Sequence, residues 1–304
     1  MLYKKRVLAA KIETTVGTAI SLSASDATFN VFNASIQPEI PFNARESQSA
    51  FSGLTGSYEG LAGTAKFSCE LTGGSSIPAW ATTFLPACGM VASSLVMSPQ
   101  TNPPGSGGVK TLTIGSYVDG IWRSIKGAMG NAVFRFEAGK KVMVDFEFKG
   151  IWVPPTDVAL ITPTWTTVAP LRFVSSGLAI GAANPKCANL TIDLGNQVIL
   201  REDSGTSSGY ISACITDRKM KGTIDPEAAL VATRDNLGDW LARTEAALAI
   251  SLGASTNGVA FAAPKLQFTN IQEASRNDMY VEQIDFVLNR SASAGDDELT
   301  ITFQ

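Results

Sequence analysis

The order of predicted elements occurs twice within these 304 residues. In each half, a strand-like stretch leads to a Gly/Ser-rich loop, a hairpin-like segment, a helix with a tryptophan, and a closing strand. Trp80 and Trp240 are 160 residues apart, and Gly63 and Gly222 are 159 residues apart. A repeat of this length corresponds to a whole domain, not to a solenoid unit. The sequence therefore predicts two tandem copies of one small β-rich domain.

Alternation of apolar and polar residues indicates a mainly β fold. In residues 141–149, Val142, Val144, Phe146 and Phe148 alternate with charged residues and one methionine. A period of two over this length is typical of a half-buried antiparallel strand. The helix-like segments are confined to the neighbourhood of the two repeated tryptophans.

Composition shifts along the chain predict four segments. Residues 1–30 have little periodicity and are rich in Ser and Thr, so we expect an N-terminal arm. Residues 31–155 form the first β domain, with a glycine-rich insertion at about 98–131. The Pro/Thr-rich passage 156–170 is the predicted linker, because prolines resist regular structure. Residues 171–304 form the second β domain.

The composition excludes several classes of function. Histidine is absent, which removes Ser-His-Asp and Cys-His nucleophiles and most zinc sites. A net charge of −3 and a pI near 5.2 argue against a general nucleic-acid binder. Charged residues make up only 17% of the chain, which suits a protein that covers much of its surface with copies of itself.

The four cysteines, Cys69, Cys88, Cys187 and Cys214, form no Cys-x-x-Cys motif. Each lies in an apolar or strand-like setting, so we expect buried free thiols. Such thiols fit a reducing cytoplasm.

The stretch 77–97 is apolar enough to suggest a membrane span. Pro86 lies inside it and Gly89 follows shortly after, and both interrupt a spanning helix. We therefore expect a core helix of about three turns and no membrane anchor.

Carboxylates are the main remaining route to catalysis in a chain without histidine. The candidates are Asp193 with Asp217 and Asp225, and the acidic run 296–298. A solvated strand face or a turn carries the same residues, and the chain has no glycine-rich phosphate loop. We therefore expect no enzymatic activity and no cofactor.

Short motifs are spread over nearly the whole chain, at residues 10–18, 77–90, 146–156, 193–196, 215–219 and 263–265. They include IPAW at 77–80 and FEFKG at 146–150. By these motifs and their order, the chain resembles the tail tube (major tail) proteins of long-tailed bacteriophages and prophages, in the form with two tube domains per chain. The insertion at about 98–131 has no counterpart in this resemblance.

The resemblance implies a β-sandwich with one flanking helix in each domain, with inner sheets that join edge to edge around a ring. Rings stack into a hollow tube that delivers DNA. Six domains of four strands make about 24 strands, which close a barrel of about 48 Å at a spacing of about 4.8 Å and a tilt of about 40°. Because each chain holds two domains, three chains complete this pseudo-hexamer as a homotrimer.

The resemblance also implies the partners and the location of the protein. The chain binds itself within rings and along the tube. The tape measure protein and DNA occupy the lumen transiently, and tail terminator and distal tail proteins cover the ends. The protein is a part of the virion tail, is assembled in the host bacterial cytoplasm, and has no membrane partner.

Three groups of residues are predicted to carry the assembly. The loop 43–56, after the first strand, is too long and polar for a core connection, so we expect it to contact the next ring, with help from the basic arm. The loop residues are Asn43, Arg45, Glu46, Ser47, Phe51 and Leu54, and the arm residues are Lys4, Lys5, Arg6 and Lys11.

The third group is predicted to line the lumen. Phosphate affinity comes mainly from Lys and Arg, so a bore that DNA slides through should be acidic or neutral. Alternation alone leaves open which sheet faces inward, since a shift of one residue exchanges the two faces. The candidates alternate with apolar neighbours in strand-like segments: Glu59, Glu70, Asp145, Glu147, Asp193, Asp217 and Asp285.

Two alternative functions remain open for a chain of this kind. A baseplate, decoration or fibre protein can be built on the same sandwich, since a fold does not fix a function. A lectin-like module would use Trp122, Trp152 and Trp165 as stacking residues, although core and linker packing is the better explanation of them.

Overall fold

Strands dominate the structure, as the alternation predicts. In this computed structural model, which describes residues 2, 4–48, 51–254 and 256–304, strands take up 55% of the chain and helices 7%. The prediction of a mainly β fold is confirmed. The elements of the first half are β1 (Arg6–Ile12), β2 (Val31–Glu39), β3 (Phe42–Arg45), β4 (Leu54–Tyr58), β5 (Ala62–Glu70), α1 (Ala79–Phe84), β6 (Met90–Ser93), β7 (Val96–Pro99), β8 (Leu112–Val118), β9 (Ile121–Glu137) and β10 (Met143–Asp157).

The second half repeats the sequence of main elements. In addition to the elements given above, the first half contains short 3-10 turns at Ala24–Ala27 and Leu85–Cys88, which have no counterpart among the elements of the second half that the structure describes. The elements of the second half are β11 (Ala179–Ile180), β12 (Cys187–Asp193), β13 (Asn196–Glu202), β14 (Tyr210–Arg218), β15 (Lys221–Pro226), α2 (Asn236–Ala242), β16 (Glu245–Ala254), β17 (Asn257–Arg276), β18 (Met279–Asn289) and β19 (Thr300–Phe303).

Eight strands join edge to edge through both halves, in the order β2-β5-β10-β9-β12-β15-β18-β17. All the pairings in this series are antiparallel. Within each half the four strands take the same places: first, second, fourth and third in chain order. The halves meet at the seam between β9 and β12, where Phe134 lies opposite Ile192. We call these eight strands the long sheet.

One face of the long sheet forms the core, because every second side chain is apolar. Phe67 contacts Phe146 with ring centroids 5.4 Å apart, and Phe84 of α1 lies 5.1 Å from Phe146. The core continues across the seam, where Phe134 meets Phe261 of the second half at 5.1 Å. Burial of one such ring contributes about 1.5–3 kcal/mol. The two halves therefore share a single apolar core.

The first helix is short and buried. The predicted core helix of about three turns is the six-residue α1 followed by the 3-10 turn, and it ends at Gly89 with φ of +75°. This left-handed conformation favours glycine at a helix end. Among the residues that the structure describes, no helix has the length and apolar composition that a membrane crossing needs.

The predicted arm is corrected for Arg6–Ile12. These residues form β1, which pairs antiparallel with β8, and the side chains from Val7 to Ala10 are buried. The run of four apolar residues is too short to stand out in the sequence. Its partner lies in the glycine-rich insertion, which contributes β8 and the beginning of β9. The predicted arm and the predicted insertion thus stabilise each other.

Glu13 fastens this first strand to the body of the protein. Its buried carboxylate accepts hydrogen bonds from the Gly17 and Gly127 amides at 2.9 and 2.7 Å. The hydroxyls of Thr111 and Thr113 also donate to it, at 2.7 and 2.8 Å. Four donors satisfy a buried charge that would otherwise be costly.

The predicted linker 156–170 begins inside a strand. β10 continues through Pro154 and Pro155 to Asp157, and residues 158–170 have no regular structure. The Thr166 amide donates to the Thr28 carbonyl at 3.0 Å, which holds this segment against the first half.

All four cysteines are free thiols. Cys69 and Cys88 are buried, as predicted, and burial raises the pKa of both thiols. Cys187 and Cys214 are half-buried, and burial raises the pKa of Cys187 to about 11.

Candidate functional site

The polar face of the long sheet collects most of the predicted lumen residues. Side chains on this face point away from the core, because successive residues of a strand point to opposite sides. The structure brings together five of the seven candidates on this face, across β5, β10, β12 and β18: Glu70, Asp145, Glu147, Asp193 and Asp285.

Asp145 is held on the polar face by side chains of both neighbouring strands, β9 and β5. Arg135 on the neighbouring strand approaches it with two nitrogens, Nε at 2.6 Å and Nη2 at 2.9 Å. The Ser68 hydroxyl donates to the same carboxylate at 2.5 Å from the other side. This two-pronged ion pair neutralises both charges and fixes their positions.

The other acidic residues of the first half are also paired. Lys66 Nζ lies 2.9 Å from Glu147, and Lys141 Nζ lies 2.8 Å from Glu70. In each pair the lysine is more than two-fifths exposed, so the interaction is screened by water. Lys149, on the same face of β10, is exposed and forms no ion pair within the described residues, so this face of the first half carries paired carboxylates and an exposed cation.

The second half carries its carboxylates differently. Asn131 donates to Asp193 at 2.7 Å, and Asn270 donates to Asp285 at 3.2 Å. Within the described residues neither aspartate forms an ion pair, although Lys221 lies opposite Asp193 in the strand register. Asp193 and Asp285 are thus held by amides and not by cations, whereas Asp225 of β15 pairs with Arg276 at 3.0 Å.

The two other lumen candidates lie outside the long sheet. Glu59 follows β4 in the connection to β5, and Asp217 lies in β14, where Lys219 pairs with it at 3.3 Å. A hairpin outside the long sheet has the same period of two, so alternation could not distinguish these positions.

The predicted loop 43–56 is a β-hairpin formed by β3 and β4. Phe42 lies opposite Tyr58 with ring centroids 5.8 Å apart, and Arg45 lies opposite Leu54. Ser47 and Phe51 lie in the connection with Glu46, and residues 49 and 50 are outside the described residues. The side chains of Asn43, Arg45, Glu46, Phe51 and Leu54 are exposed.

The basic residues predicted for the arm are bound within the chain. Lys5 lies 3.8 Å from Asp119, and Lys11 lies 3.2 Å from Asp26. Arg6 Nη1 donates to the carbonyl of Ala34 at 2.5 Å. Lys4 is exposed in the turn before β1.

A second hairpin, β13–β14, was not predicted. It holds the same place after β12 as β3–β4 holds after β2. Its apolar residues Val198, Leu200 and Ile215 pack against Val109 and Met129 of the first half. The signal in the sequence was two short alternating runs around a Ser/Gly-rich turn.

The long sheet has an open edge at each end. Within the described residues, β2 pairs only with β5, and β17 beyond Gln267 pairs only with β18. Unpaired amide and carbonyl groups on such edges are templates for another strand. Pro38 and Pro41 in the sequence suit an edge strand at β2, because proline has no amide to donate to a second neighbour.

The carboxylates considered for catalysis hold the fold together. Arg276 pairs with Asp225 at 3.0 Å, and Arg218 pairs with Asp296 and Glu298 at 2.7 and 3.4 Å. Among the described residues, no group of three His, Cys, Asp or Glu side chains is placed to hold a metal ion.

The tryptophans considered for stacking differ in exposure. Trp122 packs on Tyr117 with centroids 4.3 Å apart, and Trp152 is buried. Trp165 is 49% exposed beside Phe29 and Trp80. They form no continuous surface for a sugar.

The comparisons with known proteins identify the family of the chain. No curated protein matches the chain. A family model described as "Phage tail tube protein" matches residues 4–304, nearly the whole chain, which confirms the resemblance found in the sequence. The chain therefore belongs to the phage tail tube protein family.

Proposed function

We propose that three copies of this chain close a ring by pairing β17 of one copy with β2 of the next, and that stacked rings form a hollow tube that delivers DNA. The observation that carries the proposal is the internal seam. β9 and β12 already join one four-stranded unit to another of the same strand order, and β17 and β2 are the corresponding strands left open.

The seam predicts the register between chains. Asp145 and Asp285 hold equivalent places in their halves, opposite Val133 and Asn270 respectively. Val133 in turn lies opposite Asp193 across the seam. Asn270 should therefore face the residue of the next chain that corresponds to Asp193.

That residue is Ser35. In the second half Asp193 lies opposite Lys221, and in the first half Ser35 lies opposite Lys66. Ser35 and Asp193 thus hold the same place on β2 and β12. The ring therefore pairs Ser35 of one chain with Asn270 of the next.

Ring size follows from the strand count. With eight strands per chain in the long sheet, three chains contribute about 24 strands. A barrel of that number has a diameter of about 48 Å, wide enough for a DNA duplex after side chains are subtracted. The two predicted tube domains of each chain, 31–155 and 171–304, make this homotrimer a pseudo-hexamer.

The polar face suits a bore through which DNA slides. Arg135, Lys66 and Lys141 are each held by a carboxylate, so these cations are already compensated. Asp193 and Asp285 add negative charge that no cation neutralises within the described chain. Among the described residues, Lys149 and Lys221 on this face form no ion pair, so phosphates meet a face on which most of the other cations are already held by carboxylates. The core face of the sheet stays outside the bore.

The family supports the wider setting of the proposal. The protein serves as a structural part of the virion tail, assembled in the host bacterial cytoplasm, and not as an enzyme. The tape measure protein and DNA pass through the lumen, and tail terminator and distal tail proteins bind the ends.

Crosslinking tests the proposed edge pairing. The double variant Ser35→Cys with Asn270→Cys, treated with a short thiol-specific linker, should give covalent trimers on a denaturing gel. Residues directly opposite in neighbouring strands have Cβ atoms about 4.5–5.5 Å apart. The matched control, Ser35→Cys with Ile271→Cys, places the second thiol on the other face and should not crosslink. Each single variant reports the background from the native cysteines.

The possible outcomes distinguish a tube protein from a baseplate component. Covalent trimers in a sample that forms long hollow filaments support the tube. Filaments without crosslinks at this pair, or a covalent hexamer of the full chain, contradict it. Single rings that never lengthen would point instead to a baseplate component.

A further inference from the structure

We propose that the β3–β4 hairpin docks on the second half of the next chain in the same ring, in the way that β13–β14 docks on the first half of its own chain. This inference rests on the proposed ring. It places the hairpin beside a second copy at the same level of the tube, where the sequence predicted a contact with the ring above or below.

The internal hairpin shows what the docking looks like. The apolar side of β13–β14 covers Met129, which has no exposed surface. Its turn reaches the connection before β5, where the Leu61 amide donates to the Ser208 carbonyl at 3.0 Å. Tyr210 covers Gly60 so closely that an added Cβ there would lie 2.5 Å from the ring. This hairpin therefore crosses the end of the adjoining four-stranded unit.

The β3–β4 hairpin has the same design without a cover. Leu54 and Tyr58 lie on one face of β4, and Phe42 reaches across from β3 to lie over Gly56 between them. Phe42, Leu54 and Tyr58 are 62%, 52% and 73% exposed. A two-stranded hairpin with one bare apolar face is marginally stable alone, so it gains most from a partner surface.

The seam also identifies the receiving surface. Counted four residues on from the matched aspartates Asp145 and Asp285, Lys149 corresponds to Asn289. Met129 lies opposite Lys149, and Lys265 lies opposite Asn289. Lys265 is thus the counterpart of the residue that β13–β14 covers.

The chemistry of this surface fits the aromatic hairpin. Lys265 is held in place by Glu245 at 2.8 Å, and Asn289 donates to the same carboxylate at 2.9 Å. A lysine fixed in this way offers its apolar stem and its ammonium group to the rings of Phe42 and Tyr58. Within the chain, Met129 is the residue in the corresponding position, beneath the β13–β14 hairpin.

The test compares the two faces of the hairpin. The apolar-face variant replaces Phe42, Leu54 and Tyr58 by Ser, and the control replaces Asn43, Thr55 and Ser57 by Ala. Sedimentation of each protein gives the dissociation constant of the ring, and electron microscopy gives tube formation. The apolar-face variant should raise the dissociation constant about tenfold or more, and the control should leave it unchanged.

The variant Lys265→Ala supplies a second, independent measurement. It should weaken the ring in the wild-type background and add little to the apolar-face variant, because both remove one contact. All these side chains are exposed or half-exposed, so circular dichroism of the monomer should show the native fold throughout.

Normal rings that fail to stack in the apolar-face variant would overturn the inference in favour of a contact between rings, and so would additive effects of the two sets of changes. Wild-type protein that forms no trimeric ring would instead refute the proposed function, so the two failures are distinguishable.

Discussion

The two hairpins hold the same place in the repeated strand order and have opposite environments. β13–β14 is packed on the first half of its own chain, and Ala213 and Ser212 within it are buried. β3–β4 exposes Phe42, Leu54 and Tyr58. The second half has its neighbour within the chain, and the first half does not. The uncovered hairpin therefore marks where another copy is expected.

A similar asymmetry separates the regions after the two helices. In the first half, the hairpin β6–β7 follows α1 and pairs with β19, which adds a further connection between the halves. The second half has no such hairpin after α2 within the described residues. β19 pairs with the beginning of β17, as the end of β10 pairs with the beginning of β9. The end of β10 carries Pro154 and Pro155, which have no amide to donate to another strand.

The largest effect is expected beneath the covered hairpin. Met129→Ala removes a fully buried side chain between β9 and β14 and should lower the free energy of unfolding of the monomer by about 2–5 kcal/mol. Urea denaturation measures this. A loss below about 0.5 kcal/mol would mean that β13–β14 is not packed as described.

The next largest effect is expected at Glu13, whose buried carboxylate lies near β14. Glu13→Gln keeps the shape of the side chain and removes the charge that four donors satisfy, so we expect a loss of about 1.5–3 kcal/mol. Gly17, which donates to Glu13, also lies against Ile211 of β14. Hydrogen exchange should show faster opening of β1 and β14 than in the protein with Glu59→Gln, an exposed control.

A smaller, pH-dependent effect is expected at the end of the covered hairpin. Burial raises the pKa of Asp296, but hydrogen bonds from Thr101 and Arg218 and the charge of Arg218 together lower it by more. The folded pKa therefore lies below the usual value of 3.8. Asp296 thus stabilises the fold above that value, and the contribution is lost as the pH falls through the folded pKa.

Stability curves of the wild type and of Asp296→Asn measure this contribution. The wild type should be more stable by about 1 kcal/mol at neutral pH, and the two proteins should converge at low pH. A difference that does not change with pH would assign the effect to packing instead of charge.

The smallest effect is expected at the uncovered hairpin. Phe42→Ala should change the unfolding free energy of the monomer by less than about 0.5 kcal/mol, since the ring is largely exposed. A loss comparable to that of Met129→Ala would show that the hairpin is covered within its own chain, and the contrast between the two hairpins would disappear.

The sequence predicted the parts of the fold that depend on local alternation. The strand around Val144 and Phe146, the buried helix at Trp80 and the polar-face positions of five candidate residues followed from the periodicity of the sequence. The spacing of Gly63 and Gly222 did not predict equivalent places, because Gly63 lies opposite Gly150 and Gly222 lies opposite Phe286.

Long-range pairing could not be predicted from the same signals. β1 and β8 pair from Arg6 opposite Val118 to Ile12 opposite Leu112, and the sequence of neither strand indicates the other as its partner. Ion pairs such as Arg135 with Asp145 depend on which strands become neighbours. The positions of Glu59 and Asp217 were missed for the same reason, since alternation reports a strand but not its sheet.

Electron cryomicroscopy of the assembled tube tests the central claim most directly. We expect rings of three chains, about 96 kDa from subunits of 32.0 kDa, with Asn270 of each chain beside Ser35 of the next and Asp193 and Asp285 in the bore. Rings of six chains, or a bore lined mainly by Lys and Arg, would contradict it.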